Sequence, residues 1–341
     1  MVAAGICHSD LHVVDGDWRR PSNVVLGHEG AGVVEALGPG VSERDAPGGP
    51  GATGRRVGDL VVLAWLAPCG TCPACLRGEA WLCLRPSGAD HRLDPAAVRL
   101  RRRDGRPVGV YSGIGTFCTR QVVAADAAIP VDPRTTPEVA ALIGCAGATG
   151  VGAVRNTAGV RTGESVVIVG LGGVGLAALL TALAAGAAPV IGVDREPGKR
   201  ALALNWGASA VLAPDEVEAV VRDLPSGGAD HVLECIGLTA TVELAVRAAR
   251  PGGSITLVGM TPMDDRAALD VYRFVEAGKR LQGSHYGSSV PARDFPGIAA
   301  DVISGRLPLD RIVTGTIGLD QVGAALAAMR RGEGARRVVL F

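Results

Sequence analysis

The chain has 341 residues, with 34 Lys+Arg balanced by 34 Asp+Glu, which is room for two domains but no global field for nucleic acid or anionic lipid. Aromatics make up only 3% of the residues, too few for the stacking platforms of a nucleic-acid reader. Met1-Val2-Ala3-Ala4-Gly5-Ile6 lacks the basic region of a secretory signal, and the cysteines fit a reducing, cytoplasmic setting.

In chain order, the first chemistry-bearing segment is Gly5-Ile6-Cys7-His8-Ser9-Asp10, followed by Gly27-His28-Glu29-Gly30. Strand-like pairs Val33-Val34 and Val61-Val62 are joined by a Gly/Pro-rich stretch, Ser42 to Arg56, that reads as a surface loop touching no motif. Cys69, Cys72, Cys75 and Cys83 then follow as C-x2-C-x2-C-x7-C, with Gly70, Pro73 and Gly78 supplying turns. Four thiolates so spaced can close a tetrahedral zinc site with no open position, a structural pattern. Arg99, Arg101, Arg102, Arg103 and Arg106 form a basic run that reads as a solvated loop. Cys145 sits in Gly144-Cys145-Ala146-Gly147. A lone Cys is usually core, and a lone His usually makes a structural hydrogen bond. Cys118 and Cys235 are read as such core thiols. Together, though, Cys7, His28 and Cys145 offer two sulfurs and one imidazole, a three-ligand set that leaves a fourth position open.

The next segment changes character. Ser165 to Val169 reads as a buried strand, then Gly170-Leu171-Gly172-Gly173-Val174-Gly175, an Ala/Leu-rich helix to about Ala185, and a strand Val190–Val193 ending on Asp194. Gly170 makes the tight turn, Gly172 lets a pyrophosphate approach the backbone, and Gly175 allows close helix–strand packing. Asp194, nineteen residues after Gly175, is placed for the ribose hydroxyls and repels a 2′-phosphate, favouring NAD. Arg195 beside it weakens that preference. Ser165 to Val193 carries no charge, but its four closely spaced glycines fit a soluble strand–turn–helix–strand unit better than a membrane span. Further strands read over Asp230–Cys235 and Ser254–Val258.

The motifs, in this order, resemble the zinc-dependent medium-chain alcohol dehydrogenases over almost the whole chain. The resemblance implies an α/β fold: a GroES-like, β-rich catalytic domain (1–146 and 288–341) with both zinc sites, and a Rossmann domain with a doubly wound parallel sheet (147–287). The catalytic metal is then expected in an interdomain cleft facing the nicotinamide. Residue by residue, Cys7, His28 and Cys145 match the catalytic zinc ligands, and Cys69, Cys72, Cys75 and Cys83 the structural ones. That makes two Zn²⁺ per subunit, with NAD as the second cofactor. Ser9 matches the hydroxyl against the substrate oxygen and His12 the end of the proton relay. Asp10 and Glu29 match acids close to the metal. His8, Thr149, Gly173, Val174, Lys199 and Arg336 match cofactor contacts. Trp18, within Gly16-Asp17-Trp18, and Trp65 fall at pocket-wall positions, joined by Tyr111.

The implied chemistry is oxidation of a primary alcohol, aromatic ones included, to the aldehyde, or the reverse. Zinc lowers the pKa of the alcohol, hydride passes to NAD, and the proton leaves through Ser9 and His12. No nucleic acid or membrane partner is expected, and the subunit is expected in a homodimer or homotetramer. Family members carry further strands before the Cys7 segment, which implies an upstream start or a crippled protein with a bare sheet edge. The alternatives are a thiol–formaldehyde adduct dehydrogenase, a nicotinoprotein alcohol dehydrogenase that keeps its NAD bound, a truncated non-catalytic zinc protein, and a nucleic-acid-binding zinc module reading through Arg99 to Arg106.

Overall fold

The structure, a computed structural model, describes residues 1–19, 23–41, 54–86 and 99–341. The chain forms two compact units, Met1–Ala148 with Ser289–Phe341, and Thr149–Ser288.

The first unit is built on a six-stranded sheet in the order Gly315–Ile317, Arg337–Leu340, Ala3–Gly5, Glu29–Val33, Leu60–Leu63, Ala128–Pro130. Ala3–Gly5 pairs antiparallel with Arg337–Leu340 on one side and with Glu29–Val33 on the other. The bare edge expected beside the Cys7 segment is therefore not found there, because the C-terminal strand covers it. Small residues suit this strand: a Cβ at Gly5 would lie 1.9 Å from Glu29 Oε2. Ala4, Ile6, Leu11, Ala325, Leu326 and Val339 form one buried cluster. It pins the helix His8–Asp15 against the helix Val322–Arg330, each fully buried Ile or Leu contributing about 1.5–3 kcal/mol. Asp15 and Arg330 tie the same two helices by an ion pair.

Three stretches read from the sequence take definite form here. The basic run is solvated, as expected, and it forms the exposed turn of a short hairpin in which Leu100–Arg101 pairs with Pro107–Val110. Its side chains serve the protein's own groups: Arg99 donates to the carbonyls of Val122 (2.7 Å) and Gly113 (3.1 Å), Arg102 reaches Asn23 Oδ1, and Arg106 pairs with Asp104. Of the Gly/Pro-rich stretch, residues 42–53 lie outside the described residues. Arg55 near its end is 2% exposed and donates from Nε to the Ala128 carbonyl at 2.9 Å, so this side chain anchors the end of the stretch, while Arg56 beside it is exposed. Finally, a 22-residue helix, Pro137–Ala158, begins in the first unit and continues past its boundary at Ala148. That helix is long and apolar enough to cross a membrane, yet most of it is buried in the protein. Thr136 at its N-cap and Pro137 in its first turn start it, and Ala-rich sequence sustains it.

The second unit carries a parallel sheet in the order Ala210–Leu212, Val190–Val193, Val166–Val169, Ala229–Glu234, Ala249–Leu257, Arg280–Gly283. Val166–Val169 and Val190–Val193 are buried throughout, the reason they read as unbroken apolar runs. The uncharged stretch Ser165–Val193 is strand, helix Gly173–Ala184 and strand. The chain winds outward in both directions from Val166–Val169, which puts the glycine turn after that strand at the sheet's switch point. At the other end of this strand, Ser165 donates from N (2.8 Å) and Oγ (2.6 Å) to Asp230 Oδ2, and Arg250 Nε donates to Asp230 Oδ1 at 2.6 Å. Burial works against the Asp230 carboxylate, but these partners outweigh it and hold its pKa down to about 2.

Candidate active site and metal centres

Three remote segments converge in the first unit. Cys7 caps the helix His8–Asp15. His28 follows Gly27, whose φ of +90° makes the turn into the strand Glu29–Val33. Cys145 lies in a π-wound turn, Ile143–Gly147, inside the helix Pro137–Ala158; such an inserted residue is a frequent device at functional sites. The ligand atoms of Cys7, His28 and Cys145 all lie within 4.8 Å of one another, and all three residues are buried.

Asp10 organises this cluster. Its Oδ1 faces His28 Nδ1 at 3.3 Å and accepts from Gly27 N at 3.0 Å, and its Oδ2 accepts from Cys7 N at 3.3 Å. A proton held on Nδ1 leaves the Nε2 lone pair free for a metal. Nε2 is buried without a hydrogen-bond partner among the described residues. Tyr111 stands edge-on to the His28 ring, centroids 5.5 Å apart. On the other side Glu29 Oε1 accepts from Ala146 N at 2.9 Å and faces Arg336 Nη2 at 3.4 Å. Burial raises the Glu29 pKa to about 7 against the pull of Arg336. A hydrogen bond from Cys145 favours the Cys7 thiolate despite burial, with Arg336 and His28 adding to it, and the same contact pushes the Cys145 thiol up. Two thiolates side by side need a cation to neutralise them. Zinc fits this S, S, N set.

Arg336, which the resemblance assigns to the cofactor, is 4% exposed, donates from Nη1 to the Ile6 carbonyl at 2.5 Å and faces Glu29, while its Nε is buried without a partner among the described residues. The closing strand carries it inward, where its charge steadies the thiolates.

Ser9 Oγ lies 3.7 Å from Cys7 Sγ. His12, one turn on, is not an open surface group: its side chain is 14% exposed. Its Nδ1 is 2.7 Å from Asp17 Oδ2, and its ring stacks on Trp18 with centroids 4.8 Å apart. His8 is exposed, its ring 5.0 Å from that of His12. Trp18 is thus a wall behind His12, whereas Trp65 packs on the cluster of Val61, Leu63, Ala67 and Ile114. Sequence reasoning noticed Asp17 only as part of a family string. The signal was Gly16, a helix stop that turns the next residues back.

The four-cysteine lobe is closed. The Sγ atoms of Cys69, Cys72, Cys75 and Cys83 lie within 4.8 Å of one another, with Cys72 Sγ 3.5 Å from Cys75 Sγ and 3.9 Å from Cys83 Sγ. Gly70 (φ +73°) and Gly78 (φ +81°) make the turns. The amide of Thr71 lowers the Cys69 pKa to about 6, and Leu84 N donates to Cys72 Sγ. Burial beside the other sulfurs pushes the Cys75 thiol up to about 12. Without a cation the four cannot ionise together; a tetrahedral Zn²⁺ removes that conflict. All eight cysteines are free of disulfides, and Cys118 and Cys235 are half-buried rather than core.

In the second unit Gly170 has φ +99°, Gly172 caps the helix Gly173–Ala184 with open space where a side chain would stand, and a Cβ at Gly175 would lie 1.7 Å from the Gly170 carbonyl oxygen. Gly173 and Val174 form the first helical turn, whose free amides suit a phosphate. Asp194 is 7% exposed; its Oδ2 accepts from Leu171 N and its Oδ1 from Glu196 N, both at 2.9 Å. It therefore fastens the glycine turn, keeping only its remaining lone pairs for a ribose. Lys199 is half-exposed on the helix Pro197–Asn205, and Thr149 is buried.

Comparison with known proteins agrees with this geometry. A family model described as an alcohol dehydrogenase GroES-like domain matches residues 1–133, and one described as a zinc-binding dehydrogenase matches residues 173–304. The chain is 33% identical to an S-(hydroxymethyl)glutathione dehydrogenase of Photobacterium damsela subsp. piscicida, covering 99% of this chain and 90% of the relative. Among solved structures it is similar to an alcohol dehydrogenase zinc-binding domain protein from Burkholderia ambifaria (33% identity, TM-score 0.90, 100% of this chain and 90% of that one). It is also similar to benzyl alcohol dehydrogenase from Acinetobacter calcoaceticus (29% identity, TM-score 0.88, with the same coverage).

Proposed function

Because the chain belongs to the zinc-dependent medium-chain alcohol dehydrogenases, an oxidoreductase family acting on CH–OH groups, we propose that it interconverts a small primary alcohol and its aldehyde at the Cys7–His28–Cys145 site. The observation that carries this reading is the open, buried S, S, N set, with Asp10 on one side of His28 and the unpartnered Nε2 on the other.

Zinc and NAD are the cofactors; when bound, the metal supplies a Lewis acid that lowers the pKa of a hydroxyl, and NAD accepts the hydride. The chain's own residues do the rest. Cys7, His28 and Cys145 hold one Zn²⁺, and Cys69, Cys72, Cys75 and Cys83 hold a second that shapes the lobe. Asp10 and the Glu29–Arg336 pair keep the first three ligands in place. Ser9, beside Cys7, takes the hydroxyl proton, and His12 forms the outer end of its route. Gly170 to Gly175 and Asp194 hold the dinucleotide, aided by His8, Thr149 and Lys199. Tyr111, edge-on to the His28 ring, suits an aromatic substrate, in keeping with the benzyl alcohol dehydrogenase likeness.

A second reading, oxidation of a thiol–formaldehyde adduct, is supported by the name of the 33% identical relative. A panel of ethanol, benzyl alcohol, and formaldehyde with and without glutathione, followed as NADH formation, separates the two. Turnover of benzyl alcohol independent of thiol supports the first. Turnover only of formaldehyde with glutathione replaces it with the second, and no turnover of any rejects both.

A further inference from the structure

The turn after the first helix assembles a clamp around His12 that the proposed reaction has not yet used. The helix His8–Asp15 stops at Gly16, whose φ of +84° only glycine adopts freely. The chain reverses there, and Trp18 N donates back to the His12 carbonyl at 3.2 Å. Two side chains are thereby returned to the same ring. Asp17 Oδ2 meets Nδ1 at 2.7 Å, and the Trp18 indole lies against the ring face, centroids 4.8 Å apart and planes 22° from parallel. The helix end that carries this turn is itself tied down by the Asp15–Arg330 pair.

We propose that Asp17 is a positioning residue for proton transfer: by accepting from His12 Nδ1 it fixes the imidazole tautomer and orientation, so that Nε2 presents its lone pair to the outgoing proton. The inference rests on the relay role given to His12 above. The distance is that of a charge-assisted hydrogen bond, and a carboxylate on one ring nitrogen makes the other the acceptor. The proton arriving at Nε2 gives an imidazolium stabilised by the adjacent carboxylate, and the imidazolium then loses a proton to water. Asp17 is 39% exposed, so water reaches the pair. Trp18 covers one face of the ring. Among the described residues, the other titratable groups that bear on the ring include His8, on the same helix, and Asp15, which is paired with Arg330 of the helix Val322–Arg330.

The test measures the pre-steady-state rate of NADH formation, with zinc content and NAD affinity as controls, in the full-length holoenzyme. Asp17→Ala should slow the rate by about 10-fold with substrate KM changed less than 2-fold, matching His12→Gln. Small buffer bases should rescue both variants to the same extent, and the double variant should be no slower than His12→Gln alone. Ring ¹⁵N shifts should show one His12 tautomer in the parent and a mixture in Asp17→Ala. If His12→Gln is slow but Asp17→Ala is not, or if the two losses multiply, Asp17 does not act through His12 and the proposal is wrong. If His12→Gln itself runs at full rate, the relay reading fails, and this inference with it.

Discussion

Gly172 and Gly175 of the dinucleotide turn separate binding from folding, and a pair of alanine substitutions should show it. At Gly175 the new Cβ would lie 1.7 Å from the Gly170 carbonyl oxygen and 2.9 Å from its carbon. Both are backbone atoms, held by hydrogen bonds from Gly170 N to Val193 O (2.8 Å) and from Leu171 N to Asp194 (2.9 Å). Ordinary contact needs about 1.5 Å of movement, so the cost should reach the upper end of the roughly 1–3 kcal/mol typical of overpacking. The intrinsic gain of alanine over glycine in a helix, about 1 kcal/mol, offsets only part of it. Net destabilisation of about 2 kcal/mol corresponds to a melting point of the unit Thr149–Ser288 lower by about 7 °C. At Gly172 no atom lies within 4 Å of the added carbon, and φ is −77°. Gly172→Ala should therefore melt within a degree or two of the parent. Its methyl group nevertheless stands where a pyrophosphate must approach, and NAD affinity should fall at least about 10-fold, or 1.4 kcal/mol. Scanning calorimetry and NAD titration, with zinc content as control, read both. Parent-like NAD affinity in Gly172→Ala, or parent-like melting in Gly175→Ala, would refute the assignment of these roles.

Four further outcomes are expected. A mild chelator should remove the Cys7–His28–Cys145 ion first, abolishing activity while far-UV circular dichroism stays unchanged; loss of fold together with that metal would count against separate sites. Asp194→Gly should weaken NAD binding and relax discrimination against NADP, and, because Asp194 also fastens Leu171 and Glu196, lower the melting point as well; unchanged affinity for both cofactors would show the acid is misplaced. Ser9→Ala should nearly abolish turnover with zinc and NAD still bound, whereas His12→Gln should cost on the order of 10-fold, most at low pH; equal, buffer-insensitive losses would make His12 structural. Asp230→Asn should destabilise by about 2 kcal/mol at pH 7, since the folded pKa is about 2 against a usual 3.8 and each unit is worth about 1.36 kcal/mol. A group depressed in this way stabilises above its unfolded value and loses that contribution as pH falls through its folded one, so the deficit should shrink between pH 4 and pH 2; a deficit that stayed constant there would mean the carboxylate is not the source.

Most of the candidate site was legible in the chain because its chemistry is written in local strings. Cys69 to Cys83 close on one another within a single lobe, and Gly170 to Gly175 fold as one strand–turn–helix, so short-range spacing carries their geometry. Cys7, His28 and Cys145 were legible for a weaker reason: residue type and company selected them, while their convergence depends on pairing between Ala3–Gly5 and Glu29–Val33 and on a π-wound turn.

What tertiary structure alone decided lies where distant segments meet. Arg336 reads as an ordinary basic residue near the end of the chain; the pairing of Arg337–Leu340 with Ala3–Gly5 turns it inward against Glu29. The arginine run reads as a solvated loop and stays exposed, but only its pairing with Pro107–Val110 gives it a hairpin's place in the fold. His12 reads as a surface group until Gly16 returns Asp17 and Trp18 onto its ring. The physical reason is common to all three. Metal ligands and glycine turns owe their selection to bond geometry within a few residues. The surroundings that set a side chain's burial, charge and tautomer are supplied by neighbours whose place depends on how strands and helices pack, and no local spacing encodes that.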